Sequence, residues 1–138
     1  MNSYTLSEIQ VGLTQSFQVS ITEEKMKLFQ QMSGDVSPIH MDKAYAEQRG
    51  FPDRVCYGML GASFFSTLAG VYLPGEHCLL HSVESKFVKP FFIGDTLTIT
   101  GVVTEVNDTF QEITIKATIT NQDNKKITRG IIKAGVAK

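Results

Sequence analysis

Tyr57-Gly58-Met59-Leu60-Gly61-Ala62-Ser63-Phe64-Phe65-Ser66-Thr67-Leu68-Ala69-Gly70-Val71 is the stretch on which the architecture turns. Met59, Leu60, Ala62, Phe64, Phe65, Leu68 and Ala69 leave little polar surface on a helix over these residues. A helix that is apolar on most of its sides is buried. Pro74-Gly75 marks its exit turn. The first backbone N–H groups of such a helix have no partner inside it and can face an anionic oxygen. Gly58, at the start, lets a ligand come close because it carries no side chain. The plainer reading is a glycine needed only for backbone shape or helix packing.

The sequence after this helix reads as strands. Cys78 to Val88 comes first. Thr96 to Val106 places Leu97, Ile99 and Val103 on one side. Phe110 to Thr120 places Ile113, Ile115, Ala117 and Ile119 on one face, with Thr114, Lys116 and Thr118 on the other. Lys126 to Val136 is the last strand, and Asn107-Asp108 and Asp123-Asn124 are turns. Before the helix, Ser16 to Ile21 alternates with Phe17, Val19 and Ile21 on one face. Thr22 can cap a helix carrying Glu23 and Glu24 in its first turn and Met26, Phe29 and Met32 along one side. Gly34 suits its end, and Asp42 can cap a short helix from Lys43 to Arg49. One buried helix followed by four long antiparallel strands predicts an α+β domain. There is no internal repeat, linker or low-complexity segment, so residues 1–138 are expected to be one domain. A sheet of this kind has a free edge and an uncovered flank, which a second copy of the chain would hide.

The bulk numbers restrict the partners. At 138 residues with 42% hydrophobic residues, the chain can bury a proper core. A net charge of −1 gives no electrostatic reason to expect nucleic acid or an anionic membrane. No apolar run is long enough to span a bilayer. No signal peptide is evident at Met1-Asn2-Ser3-Tyr4. Cys56 and Cys78 make no disulfide framework and no metal-type spacing. A reduced, cytoplasmic protein without metal or cofactor is the expectation.

Ser33-Gly34-Asp35-Val36-Ser37-Pro38-Ile39-His40-Met41-Asp42 carries the chemistry. Asp35 and His40 are five apart, which is not a same-face spacing on a helix. Pro38 biases Ser37 away from helix. A tight, irregular loop is therefore expected to bring carboxylate and imidazole together, as general acid–base work requires.

With Tyr45-Ala46, Phe51-Pro52-Asp53-Arg54-Val55, Gly58-Met59-Leu60 and Phe87-Val88-Lys89-Pro90-Phe91-Phe92-Ile93-Gly94-Asp95, this block resembles the MaoC-like dehydratases, the (R)-specific enoyl-CoA hydratases. The resemblance runs from about Phe17 to the C-terminus. It implies a hot-dog fold, a curved antiparallel sheet wrapped around one apolar helix, and a homodimer. It implies hydration of an enoyl thioester, or dehydration of a 3-hydroxyacyl thioester, carried by CoA or acyl carrier protein. It assigns Asp35 and His40 to catalysis and the Gly58 N–H to the thioester oxygen. Asp35 is expected nearest the attacking water, with a pKa raised by an apolar tunnel; the division of labour with His40 is open to reversal. Ser37, Tyr57, Met59 and Ser66 are the expected substrate-binding residues. Tyr57 stands where many relatives have histidine, and Ser37 where asparagine is common. The Phe-x-x-Pro-x-x-x-Gly-Asp block supports the fold more than the chemistry.

Two other classes remain open on the same fold, an acyl thioesterase and a non-catalytic acyl-thioester-binding protein. Hot-dog thioesterases generally carry their carboxylate on the central helix, and Leu60 to Leu73 contains no Asp or Glu. Lys86, Lys89 and Arg54 could meet carrier phosphates, although solvated cations are the ordinary reading. Cys56 could have a lowered pKa near a helix start, but a packed thiol is the simpler expectation. His77 and His81 are expected on a turn and a strand without a catalytic part.

Overall fold

The computed structural model describes residues 1–138. Strand β1 (Thr14–Ser20) leads into helix α1 (Glu23–Ser33), the short turn of helix α2 (Pro38–Met41), α3 (Lys43–Gln48) and the central helix α4 (Gly58–Thr67). Strands β2 (Cys78–Phe87), β3 (Thr96–Asn107), β4 (Glu112–Thr120) and β5 (Lys126–Val136) follow. They form one antiparallel sheet in the order β1-β3-β4-β5-β2. The sheet curves around α4, so the α+β, hot-dog arrangement expected from the sequence is the one observed.

Local signals set the element ends. The Thr22 hydroxyl accepts from the Lys25 N–H at 3.2 Å, and Gly34 closes α1 at φ 75°. The Asp42 carboxylate accepts from the Tyr45 N–H at 3.2 Å at the start of α3. Met26 is buried and Phe29 partly so, whereas Met32 stays in solvent, so the apolar stripe of α1 is shorter than its periodicity suggests. Helix α4 changes after Thr67 into a wider, π-type turn over Leu68–Tyr72, in which the Leu73 N–H reaches back to the Leu68 carbonyl at 2.8 Å.

The inner face of the sheet matches the alternation. Leu97, Ile99, Val103, Ile113, Ile115, Ala117, Ile119, Ile132 and Ala134 are fully buried. What admits the helix is a set of missing side chains. A Cβ at Gly130 of β5 would fall 2.6 Å from the Phe65 ring. A Cβ at Gly101 of β3 would fall 2.9 Å from both Leu68 and Ile115. Within the helix, Gly61 receives the Phe91 ring, 3.2 Å from where its Cβ would be. Strands β1 and β2 are the sheet edges, and Leu79, Leu80, Val83 and Phe87 on β2 are exposed. No helix is long and apolar enough to cross a membrane.

The glycine seats make a testable contrast. Gly130→Ala should destabilise the fold by about 1–3 kcal/mol, the usual cost of overpacking. Gly70, in the π-type turn, has open space around its missing Cβ. Gly70→Ala should be neutral or stabilising. Urea unfolding of both variants measures the difference, and equal effects would show that Phe65 is not held by the Gly130 seat.

Candidate active site

The segment between α1 and α3 is more regular than its sequence suggests. Ser37 takes an extended conformation, as the following proline requires, but Pro38 opens one turn of helix that contains His40. Proline is preorganised for the first helical position, where its lack of an N–H costs nothing. The expected irregular loop is thus confined to Asp35-Val36-Ser37 and is followed by α2.

Asp35 is fixed by its neighbours. The Ser37 hydroxyl donates to the Asp35 carboxylate at 2.6 Å and the Ser37 N–H donates to the same oxygen at 3.0 Å. The Asp35 N–H donates to the Ser33 hydroxyl at 3.2 Å. The two Ser37 bonds hold the Asp35 carboxyl below the ordinary carboxylate range, the hydroxyl contributing most, then the amide, with His40 a smaller influence. The expected rise is therefore wrong in sign. Its premise was an apolar tunnel, but the Asp35 side chain is 40% exposed. Desolvation is too small to offset two donors.

His40 is anchored from its other side. Its Nδ1–H donates to the Val55 carbonyl at 2.6 Å, since a carbonyl can only accept. That leaves Nε2 facing the Asp35 carboxylate at 4.0 Å. This is too long for a direct hydrogen bond and suits one oxygen atom between them. The His40 ring lies against the Tyr57 ring, with centroids 4.2 Å apart, and Phe29 covers Tyr57 elsewhere at 4.7 Å. The Tyr57 hydroxyl donates to the Asp35 backbone carbonyl at 2.7 Å. Burial first, and the Asp35 charge second, push the Tyr57 phenol up, so it stays a donor.

Helix α4 begins beside this pair. Tyr57 gives it no side-chain cap, and the Gly58 and Met59 N–H groups donate to no protein acceptor. A cleft of about 670 Å³ joins these amides to Asp35, His40, Tyr57 and Cys56, with Phe87 and Phe91 on its apolar wall. The Phe87 ring lies over Gly58, about 3.0 Å from where a Cβ would sit, so glycine here also serves packing.

The remaining expectations divide. Met59 lines the cleft, while Ser37 acts behind Asp35 and does not line it. Ser66 lies eight residues beyond Gly58 on α4, is exposed and is not in the cleft. Lys89 lines the cleft. Lys86 lies instead in a concavity of about 300 Å³ that shares no residue with it, and Arg54 is paired with Glu23. His77 contacts Ser3, and His81 pairs with Glu112 at 2.6 Å. Burial above all pushes the Cys56 thiol up to about 12, so the packed-thiol reading holds and a lowered pKa does not. In the Phe87–Asp95 block, Gly94 takes φ 98° and the Asp95 carboxylate accepts from the Phe92 N–H at 2.9 Å, a structural turn as expected. Sequence reasoning missed Thr128, a buried cleft residue with no motif to flag it. No group of three or more His, Cys, Asp or Glu side chains is gathered as a metal site would require.

Fold and site together define a hot-dog protein with a carboxylate and an imidazole set beside the open N-terminus of its central helix. A family model of the MaoC-like domain matches residues 5–125, and the chain belongs to that family. An (R)-specific enoyl-CoA hydratase of Rhodospirillum rubrum is 34% identical over 113 residues, covering 82% of this chain and 78% of that protein. One from Aeromonas caviae is 36% identical over 80 residues, covering 58% and 60%. Among solved structures, an unliganded R-hydratase from Pseudomonas aeruginosa superposes with a TM-score of 0.90 at 28% identity, over 97% of this chain and 86% of that one.

The thiol gives a test of the site's packing. A group whose folded pKa is raised stabilises the fold below its unfolded pKa and loses that contribution as pH climbs through the folded value. For Cys56 the window runs from the ordinary thiol value of 9.0 to about 12. Wild-type protein should therefore lose stability in this alkaline range more steeply than Cys56→Ala, as read from melting temperature against pH. Parallel curves for the two proteins would contradict the buried, neutral thiol.

Proposed function

We propose that this protein is an (R)-specific enoyl-thioester hydratase and 3-hydroxyacyl-thioester dehydratase, a hydro-lyase acting on acyl groups carried by CoA or acyl carrier protein. The observation that carries the reading is the His40 imidazole, pinned through Nδ1 and facing Asp35 across 4.0 Å, beside the free amides that begin α4. The relatives named as hydratases and dehydratases support it.

In the hydration direction, a water sits between Asp35 and His40 Nε2. Its oxygen forms the new bond to C3 of the enoyl group. The alkene electron pair moves towards C2 and charge builds on the thioester oxygen, where the Gly58 N–H donates to it. The proton taken from the water returns to C2, so one water is added and nothing else is consumed. Asp35, held ionised by Ser37, orients the water as an acceptor. His40 carries the proton, a division of labour that the sequence left open. Ser37 and Tyr57 keep the pair in place, the one on the carboxylate and the other on the Asp35 backbone and the His40 ring. Met59 and Phe87 offer apolar surface to the acyl group.

A thioesterase would need a nucleophile or base aimed at the thioester carbon. Helix α4 carries no carboxylate, and the Cys56 thiol is neutral. Asp35→Asn and His40→Gln should each lower turnover of crotonyl-CoA by about a hundredfold or more, the usual scale for a positioned acid or base. Loss of enoyl absorbance without release of free thiol is the expected signal. Near-wild-type turnover in either variant would remove that residue from the chemistry, and free thiol with no loss of the alkene would establish the thioesterase instead.

The proposed assembly is a homodimer. The outer edge of β2 pairs with no other strand, and Leu79, Leu80, Val83 and Phe87 expose apolar surface along it. A second copy pairing there would cover this surface beside the cleft. Both cysteines are free, which suits a reducing compartment such as the cytoplasm. Light scattering at micromolar concentration should give twice the 15.3 kDa chain mass. A species of 15.3 kDa alone would refute the dimer.

A further inference from the structure

Thr128 is 1% exposed, and its hydroxyl is the single buried side-chain polar atom in the molecule that finds no hydrogen-bond partner. Buried polar groups are nearly always satisfied, so an orphan calls for an explanation. Position 128 offers no structural one. Thr128 lies on β5 opposite Ile119 of β4 and Phe87 of β2. Directly opposed residues of an antiparallel pair project to the same face. Valine would fill the same space among these neighbours without leaving a hydroxyl unpaired.

Its surroundings supply the explanation. Thr128 lines the cleft that holds Asp35, His40 and Gly58. Phe87, its cross-strand partner, has its ring over the Gly58 α-carbon. Thr128 and Gly58 are thus both neighbours of Phe87, and all three line the cleft onto which the free α4 amides open. A hydroxyl can donate as those amides do, and it needs an oxygen acceptor. The acyl chain of an enoyl thioester offers none, whereas the thioester carbonyl does. The water held by Asp35 and His40 is already provided with acceptors.

Accepting the hydratase reading, we propose that the Thr128 hydroxyl is a second donor to the thioester oxygen, acting with the Gly58 N–H as charge develops there. It keeps its proton throughout and takes no other part in the bond changes. Because the oxygen becomes more negative in the transition state, the contact strengthens there and is read in kcat more than in KM.

The experiment compares wild type, Thr128→Val and Thr128→Ser with crotonyl-CoA, alongside thermal melting. Thr128→Val should lower kcat ten- to a hundredfold while KM changes only a few-fold, on the scale of an oxyanion donor at its lower end. Its melting temperature should be unchanged or higher, since no protein hydrogen bond is lost. Thr128→Ser should retain most of the wild-type kcat. The inference is overturned if Thr128→Val keeps wild-type kcat, if it raises KM alone, if it melts well below wild type, or if serine fails as badly as valine. A wild-type protein that does not consume crotonyl-CoA would instead sink the hydratase reading, and this inference with it.

Discussion

Everything in the site depends on how closely α4 lies against the sheet. Phe65 stands on Gly130, Leu68 on Gly101, and Phe91 presses into Gly61. Each contact puts an aromatic or aliphatic side chain where a Cβ would collide. Interiors packed at this density transmit small shifts instead of absorbing them. The helix therefore has little freedom to slide or turn. Its N-terminus is held by the same contacts, because the Phe91 carbonyl also accepts from the Cys56 N–H at 2.9 Å just before the helix begins. The direction of the Gly58 amide is in this sense a core-packing result.

The proposed acid/base pair hangs from that fixed point. Val55 is joined to α2 twice, its N–H donating to the Ile39 carbonyl at 3.0 Å and its carbonyl accepting from His40. Tyr57 makes the third link, buried beneath His40 and bonded to the Asp35 carbonyl. Residues 55 to 58 thus place the imidazole, the carboxylate and the helix amides with four consecutive positions. The tyrosine at 57 has a specific part in this, because its ring packs at a tilt against the imidazole and its hydroxyl reaches the Asp35 backbone. Substrate contact alone would not have required that hydroxyl.

The fold was legible because its signals are local and periodic. The inward set Ile113, Ile115, Ala117 and Ile119 repeats every second residue, and all four are fully buried. Thr22, Gly34 and Asp42 announce helix ends through geometry that needs no tertiary partner. The site was only partly legible. Asp35 and His40 could be paired from the block they share, but the sign of the Asp35 shift depends on how much solvent reaches it, which no local pattern encodes. Ser66 has the right residue type on the right helix, yet eight residues of helix carry it roughly 12 Å along the axis from Gly58. Thr128 is in phase with the buried Gly130, Ile132 and Ala134, so the alternation places it inside, but nothing local marks it as a cleft residue. β4 pairs Ile119 with Thr128 and Thr120 with Lys126, so Ile127 is the extra residue of a bulge and is buried out of phase.

The low Asp35 pKa bears on how the reaction is divided. A carboxylate that gives up its proton readily is a poor base, so two hydrogen bonds from Ser37 look at first like a handicap. They bind one carboxylate oxygen, and the other is the one that faces His40. In the proposed reaction a charged acceptor at that position orders a water by one O–H, and the second O–H donates to the bare Nε2 of His40. A carboxylate with a raised pKa would itself hold the proton for part of the time and lose that ordering. In the proposed reaction the charge stays on Asp35 while His40 moves the proton, and the Nδ1 anchor on Val55 keeps Nε2 aimed at the Asp35 carboxylate.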